Sequence, residues 1–249
     1  MHSDIVHISF AIACGGRTDL RDQLIASLRA PLLPFTSEII WAESDGQPVG
    51  QLRNELYARA RGKYVYFLDE DCVWPVSFPA HRLHAWMESG HAFSGPYLNT
   101  PTCTFFGRAY NFMTHAWLKR HSTSGHPVAV AGNVLVPKSD RMPKPYCAQS
   151  AFGGEELALM KTLTESGIEL HYRDEMAVGH NARHSLSRFF ARAWLHGRSP
   201  APGSRSTGRA PWKRILTAHH ALPSYSPLML LTLVGYHLTQ FSARKWGRS

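Results

Sequence analysis

The chain has 249 residues, of which 44% are hydrophobic, so it is long enough for one sizeable core with an appendage. Its four cysteines are widely scattered, which excludes a tight disulfide framework or a Cys-x-x-Cys zinc site and favours a reducing, cytoplasmic setting. The formal net charge of +9 is unevenly distributed, because eleven Lys and Arg residues but no Asp or Glu follow Met176. This basic final third predicts an anionic partner: nucleic acid, anionic lipid or a diphosphate substrate.

The first seventy residues predict alternating strands and helices. Strands are expected over residues 4–14, 37–42 and 64–68, and helices over 17–29 and 51–61. The second helix places its leucines on one face, and Gly62 is expected to end it. A βαβαβ order of this kind implies a parallel sheet and therefore an α/β fold.

The third predicted strand runs directly into two aspartates. The stretch from Tyr64 to Leu68 is entirely apolar or aromatic, and Asp69 and Asp71 follow it two residues apart. Side chains with this spacing on an extended chain point to the same side. They predict a paired carboxylate site for a hard divalent cation such as Mg²⁺, at the sheet edge where nucleotide-binding folds hold their ligands. The alternative is an ordinary polar end of a strand.

The middle of the chain has a mixed pattern. Residues 77–90 are expected to form a helix, and strands over 93–97 and 128–136 flank an aromatic stretch that we assign mainly to the core. A further helix is expected from Glu155 to Gly167, where the glycine ends it.

Two glutamates begin that later helix. Glu155 and Glu156 would interact favourably with the helix dipole there, and a helix start is also a suitable place for a general base. A strand over residues 169–178 then leads to His180, and Ser185 is expected to cap the helix that follows.

The C-terminal part is basic at its ends and uncharged between Arg214 and Arg244. Its apolar centre is shorter than the roughly 20 residues that a membrane-spanning helix needs. We therefore predict that residues 201–249 form a basic linker and an amphipathic helix that lies on an anionic membrane surface, with Trp212, Tyr236 and Trp246 at headgroup depth. The alternative is a helix packed on the domain of residues 1–200.

Several motifs recur in a fixed order along the chain. They are Arg53-Asn54, Gly62-x-Tyr64-x-x-Phe67-Leu68-Asp69-x-Asp71, Gly153-Gly154-Glu155-Glu156, His180 and Ser185. This ordered set resembles family 2 glycosyltransferases, and the resemblance covers roughly residues 5–200. It implies inverting chemistry on a GT-A fold, which is a Rossmann-like, mostly parallel sheet flanked by helices. It also implies a nucleotide-sugar donor, a hydroxyl acceptor and a divalent cation, Mg²⁺ or Mn²⁺.

The same resemblance implies a role for individual residues. Asp71, Asp69 and His180 would hold the cation, although His180 could instead be hydrogen-bonded to the glutamate pair. Glu156 would be the general base, with Glu155 in reserve. The residues expected to bind the donor are Glu43, Arg53, Asp69 and Arg17.

These inferences predict sugar transfer for cell-surface polysaccharide or glycolipid synthesis, at the cytoplasmic face of a membrane that would present a lipid-linked acceptor. One alternative is a nucleotidyltransferase that makes a nucleotide-sugar, since Cys14-Gly-Gly-Arg17 faintly resembles the glycine-rich basic loop of such enzymes. A second alternative is a basic nucleic-acid-binding protein. The uncharged apolar run separates the basic clusters, so we expect no nucleic-acid partner.

Overall fold

Nine strands form two sheets within the computed structural model, which describes residues 6–30, 33, 35–125, 128–148, 155–198 and 227–246. The strands are β1 (Ile8–Cys14), β2 (Ser37–Glu43), β3 (Tyr64–Asp69), β4 (Cys72–Val73), β5 (Ala92–Ser94), β6 (Tyr97–Asn99), β7 (Asn133–Pro137), β8 (Leu170–Tyr172) and β9 (Val178–His180). The central sheet has the order β2–β1–β3–β7–β5–β8, and the smaller sheet has the order β4–β9–β6. Only β7 runs antiparallel to its neighbours in the described central sheet. The predicted α/β class with a mostly parallel sheet is confirmed.

Helices cover both faces of this sheet. They are α1 (Thr18–Arg29), α2 (Val49–Arg59), α3 (Ala80–Glu88), α4 (Phe105–Thr123), α5 (Glu155–Glu165), α6 (Leu186–Arg198) and α7 (Pro227–Trp246). Alternate residues of β1 point to opposite faces, so Phe10 packs in the cluster that contains Leu24 of α1, whereas Ala11 packs in the cluster that contains Leu52 of α2. Burial on both faces explains why the parallel strands are almost continuously apolar.

The βαβαβ prediction for the first seventy residues is confirmed within a few residues at each boundary. Gly62 has a different role from the predicted one, because α2 ends at Arg59 and Ala60 is already extended. A Cβ atom at Gly62 would lie 2.6 Å from the backbone nitrogen of Ser9 on β1. Glycine is therefore needed here for the close approach of two backbones.

Several segments differ from their predicted structure. The strand expected over 93–97 is divided between β5 of the central sheet and β6 of the smaller one, and the strand expected over 128–136 begins only at Asn133. The aromatic stretch that we placed between strands forms the 19-residue helix α4. The single strand expected over 169–178 is divided by a 3₁₀ turn, Asp174–Met176, so that β8 pairs with the central sheet and β9 with the smaller one. The division places His180 at the end of β9, beside β4.

Helix α7 packs against the rest of the molecule through one face. Tyr236 is fully buried, its ring centroid lies 4.9 Å from that of Phe189 on α6, and its hydroxyl is 2.9 Å from Nδ1 of His196. The prediction that Tyr236 lies at headgroup depth is therefore wrong. The predicted basic linker and Trp212 lie outside the described residues. Among the described helices, none has an apolar stretch long enough to cross a membrane.

Two histidines near α6, the buried His184 and the half-buried His196, make the stability sensitive to acid. Burial and the charge of Arg192 lower the pKa of His184 to about 3 and that of His196 to about 4, from 6.5. As the pH falls below about 6.5, the unfolded chain takes up protons that the folded chain does not. We expect the free energy of unfolding to fall by up to about 1.4 kcal/mol per pH unit for each histidine.

Urea unfolding between pH 7 and pH 4 measures this slope. His196→Gln should reduce it, because glutamine keeps a polar group opposite Tyr236 but cannot titrate. His84, whose side chain is 45% exposed, offers a matched control, and His84→Gln should leave the slope unchanged. Equal slopes in all three proteins would contradict the assignment.

Candidate active site

Three consecutive acidic residues lie at the carboxyl end of β3. Asp69 is the last residue of the strand, and it is half-buried, whereas Glu70 and Asp71 are buried. The strand is fixed on both sides by β1 and β7, so the position of the acids is set by the core rather than by a free loop.

Asp69 is held by contacts from three directions. Its carboxylate accepts hydrogen bonds from Nη2 of Arg53 at 2.7 Å and from the hydroxyl of Tyr97 at 2.9 Å. Its backbone nitrogen donates to the carbonyl of Gly132 at 3.2 Å. A Cβ atom at Gly132 would lie 2.0 Å from the carboxyl carbon of Asp69, so only glycine leaves space for this side chain.

Asp71 lies between the side chains of Arg17 and His180. Its Oδ2 is 2.6 Å from Nη2 of Arg17, and its Oδ1 is 3.1 Å from Nε2 of His180. Burial alone would raise the pKa of Asp71, but the charges and hydrogen bonds of His180 and Arg17 outweigh it and hold that pKa well below its usual range. Asp71 is therefore ionised throughout the physiological range.

His180 is oriented for an interaction with Asp71. Its Nδ1 is 2.6 Å from Oδ1 of Asn111, and its ring stacks on Tyr97 with centroids 4.2 Å apart. The amide nitrogen of Asn111 donates to the carbonyl of His180 and to Asn99, so the amide oxygen accepts the Nδ1 proton. The alternative that placed His180 against the glutamate pair is wrong, since its carboxylate partner is Asp71.

Asp69, Asp71 and His180 form a set of donors that fits a divalent cation. Their ligand atoms lie within 4.8 Å of one another. Because Nδ1–H donates to Asn111, the Nε2 atom of a neutral His180 imidazole presents its lone pair to a carboxylate oxygen of Asp71. A proton or a cation between these two atoms would stabilise the arrangement. Two carboxylates with one imidazole suit Mn²⁺ and Mg²⁺, and the imidazole favours Mn²⁺.

Arg53 connects the two acidic motifs. It is buried, and its Nη2 contacts Asp69 while its Nη1 lies 3.5 Å from Oε1 of Glu155. Burial would lower the pKa of Arg53, but Asp69, Tyr146 and Glu155 raise it above its usual value. Glu155 thus belongs to a buried ion pair, although its Oε2 has no hydrogen-bond partner among the described residues.

Glu156, the next residue of α5, is only half-buried. Burial is the main reason why the pKa values of Tyr110, Tyr146 and Tyr236 are raised, and the charge of Glu156 adds to that rise in each. Tyr110, Tyr146 and Tyr236 therefore lie within electrostatic range of Glu156. Of the two glutamates, it is the more accessible to a ligand.

Arg17 and Glu43 come from the first two strands of the sheet. The backbone nitrogen and Nε of Arg17 both donate to Glu70 at 3.1 Å, so Glu70 fixes the turn that follows β1. Glu43 ends β2, which β1 separates from β3, and it pairs with Arg21 at 2.6 Å.

Three residues of the site were absent from the sequence prediction: Glu70, Tyr97 and Asn111. Asn111 had a detectable signal, since it is a lone amide in an otherwise aromatic stretch, and such an amide needs a buried partner. Glu70 lies between the two aspartates, and because successive side chains of a strand point to opposite faces, its side chain is expected to point away from theirs. No feature of the sequence distinguishes Tyr97 from the aromatic residues of the core.

Solved structures share this architecture across nearly the whole chain. A mannosyltransferase from Pyrobaculum calidifontis, PcManGT, in complex with GDP-Man and Mn²⁺, covers 98% of this chain and 88% of its own, with a TM-score of 0.52 and 12% identity. The fold is GT-A. TarS 1-349 from S. aureus in complex with UDP covers 98% of this chain and 91% of its own, with a TM-score of 0.52 and 11% identity.

A mycobacterial protein is similar over a shorter region, 77% of this chain and 73% of its own, with a TM-score of 0.51 and 13% identity. No protein-family model and no curated protein sequence matches the chain. The likeness at these identities concerns the fold.

Proposed function

We propose that the protein is a glycosyltransferase that uses a nucleotide-sugar donor. The observation that carries the proposal is the cluster of Asp69, Asp71 and His180 at the carboxyl edge of a GT-A sheet. Two solved structures with this fold contain GDP-Man with Mn²⁺ and UDP, which supports a nucleotide donor here.

The chemistry requires stabilisation of a diphosphate leaving group. A bound Mn²⁺ or Mg²⁺ would supply Lewis-acid stabilisation of the charge that develops on that group. Asp69, Asp71 and His180 would hold the cation. Arg17 is suited to contact the diphosphate, since its side chain is 33% exposed while its backbone nitrogen and Nε bind Glu70.

The acceptor hydroxyl needs a base close to the anomeric carbon. We assign this role to Glu156, because Glu155 is buried against Arg53 while Glu156 is accessible. Deprotonation of the hydroxyl by Glu156 allows a single displacement at the anomeric carbon: the new C–O bond forms as the bond to the diphosphate breaks. One displacement inverts the configuration, as in the family 2 enzymes that the sequence resembles.

A panel of nucleotide-sugars tests the proposal. We expect one donor to raise the melting temperature in the presence of Mn²⁺. At a concentration 100 times its dissociation constant, the donor should raise the free energy of unfolding by about 2.7 kcal/mol. A nucleotidyltransferase would instead convert a sugar 1-phosphate and a nucleoside triphosphate. The absence of stabilisation by any nucleotide-sugar with either cation would contradict the proposal.

We further propose that the C-terminal part holds the enzyme on the cytoplasmic face of a membrane, next to a lipid-linked acceptor of polysaccharide or glycolipid synthesis. The face of α7 opposite its buried side is apolar and exposed. Its residues are Leu228, Leu231, Leu238 and Phe241, each more than half exposed. Eleven basic residues and no acidic ones follow Met176, which suits an anionic surface.

Vesicle binding tests this location. Truncation before α7 would uncover Phe189, so point variants on the outer face are the better probe. Binding of the intact protein to anionic vesicles should weaken as salt is added but should not disappear. The double variant Leu231→Glu with Leu238→Glu should lose the binding that persists at high salt. Val76→Glu, at a residue that is 94% exposed, is the control for the added charge. Intact protein that ignores anionic vesicles would refute the membrane role.

A further inference from the structure

A second group of metal-binding side chains lies at the other end of the central sheet. His91 precedes β5, and Glu169 and His171 lie at the start of β8, the edge strand. Their ligand atoms lie within 4.8 Å of one another. We propose that these three residues bind a Zn²⁺ ion, separately from the proposed catalytic cation.

Strand register brings the three side chains to one face of the sheet. Phe93 of β5 is paired with His171 of β8 in parallel register, and the backbone nitrogen of Ala92 donates to the carbonyl of Glu169 at 2.8 Å. Residues two apart on a strand share a face, so His91 lies on the side of Phe93 and Glu169 on the side of His171. The backbone hydrogen bonds therefore hold the three ligands together before any ion binds.

Side-chain contacts fix the ligands further. The ring of His171 stacks on Phe93 with centroids 5.4 Å apart, and its Nε2 is 3.4 Å from Oε2 of Glu169. The ring of His91 stands edge-on to His171 at 5.0 Å. Each residue keeps access to solvent, as a site that exchanges ions with solution requires.

The ligand types select the ion. Two imidazoles and one carboxylate are a zinc donor set that leaves a fourth position for water, whereas Mg²⁺ prefers oxygen ligands. Arg173 opposes a bound cation, and the carboxylate of Glu169 offsets its charge. The ion would fasten the three-residue strand β8 to β5.

Co²⁺, a coloured substitute for Zn²⁺, provides the test. The parent protein for this test is the full chain with Asp71→Asn, which removes a ligand of the proposed catalytic site. It is titrated first with Co²⁺, and Zn²⁺ is then added as a competitor. We expect one equivalent of Co²⁺ with a visible absorption band, displaced by Zn²⁺, and a higher melting temperature with Zn²⁺. Adding His171→Ala should weaken binding at least about tenfold, since even indirect changes near metals cost 10–100-fold.

His84→Ala is the matched control, because His84 also faces a glutamate, Glu88 at 3.5 Å, but in a pair without a third ligand. If His171→Ala impairs folding, Glu169→Gln at an exposed position replaces it. An unchanged Co²⁺ dissociation constant in the His171 or Glu169 variant would overturn the proposal, and so would the absence of the visible band in the parent protein. Neither result bears on donor binding, which is measured separately with unaltered Asp71.

Discussion

Replacing Asp71 with asparagine is expected to abolish cation-dependent donor binding while the chain still folds. Asparagine keeps the shape of the side chain but removes the negative charge that faces Arg17 and His180, and an amide oxygen is a weaker ligand for a hard cation. The Mn²⁺-dependent part of the donor-induced rise in melting temperature should therefore disappear. Arg17 remains bound to Glu70, so the turn after β1 is retained.

The variant should also lose some stability. Hydrogen bonds to charged groups contribute about 1.5–3 kcal/mol, and Asp71 makes two of them. Asp140→Asn, at an exposed position, is the control for the chemical change and should leave both quantities unaltered. Donor binding with unchanged dependence on Mn²⁺ in Asp71→Asn would show that the cation, if one binds, is held elsewhere.

The part of the site that follows a local pattern could be predicted from the sequence. The strand before Asp69 is marked by a continuous apolar run, and the position of the acids at its end follows from the parallel arrangement of β1 and β3. The pairing of Asp71 with His180 depends instead on β9 joining β4. Because a 3₁₀ turn redirects the chain after β8, period-two alternation alone could not indicate that the strand changes sheets.

Arg53 shows a further limit of sequence reasoning. The helical pattern identified its leucine neighbours as core residues, and the arginine was assigned to the donor. In the structure Arg53 is 3% exposed and contacts Asp69 and Glu155. A buried charge requires paired partners, and these come from β3 and α5. Contact of Arg53 with the donor stays a prediction, whereas its support of the two acidic motifs is a property of the fold.

The C-terminal helix α7 has one buried face and one exposed face. Tyr236 of α7 is buried against α6, and burial, Tyr110 and the charge of Glu156 together raise its pKa. The inner face of α7 therefore carries the buried Tyr236, while its outer face carries the exposed leucines.

Glu156→Gln is expected to keep donor binding and to lose sugar transfer. Glutamine preserves the size of the side chain but cannot accept the proton of the acceptor hydroxyl, and the loss of one positioned base typically lowers the rate about 10²–10⁴-fold. The donor's dissociation constant should change little, because Asp69, Asp71 and His180 are untouched. Single-turnover transfer and donor-induced thermal shifts, measured on the same preparation, separate the two effects.

Glu155→Gln is the matched comparison, since it makes the same chemical change one residue away. It removes the charge that faces Arg53, so its main effect should be a lower melting temperature and weaker support of Asp69. Transfer at saturating donor should then be reduced far less than in Glu156→Gln. If Glu155→Gln were instead the inactive variant, with Glu156→Gln active and both proteins folded, the base would be Glu155. The ion pair with Arg53 would then have to open during catalysis.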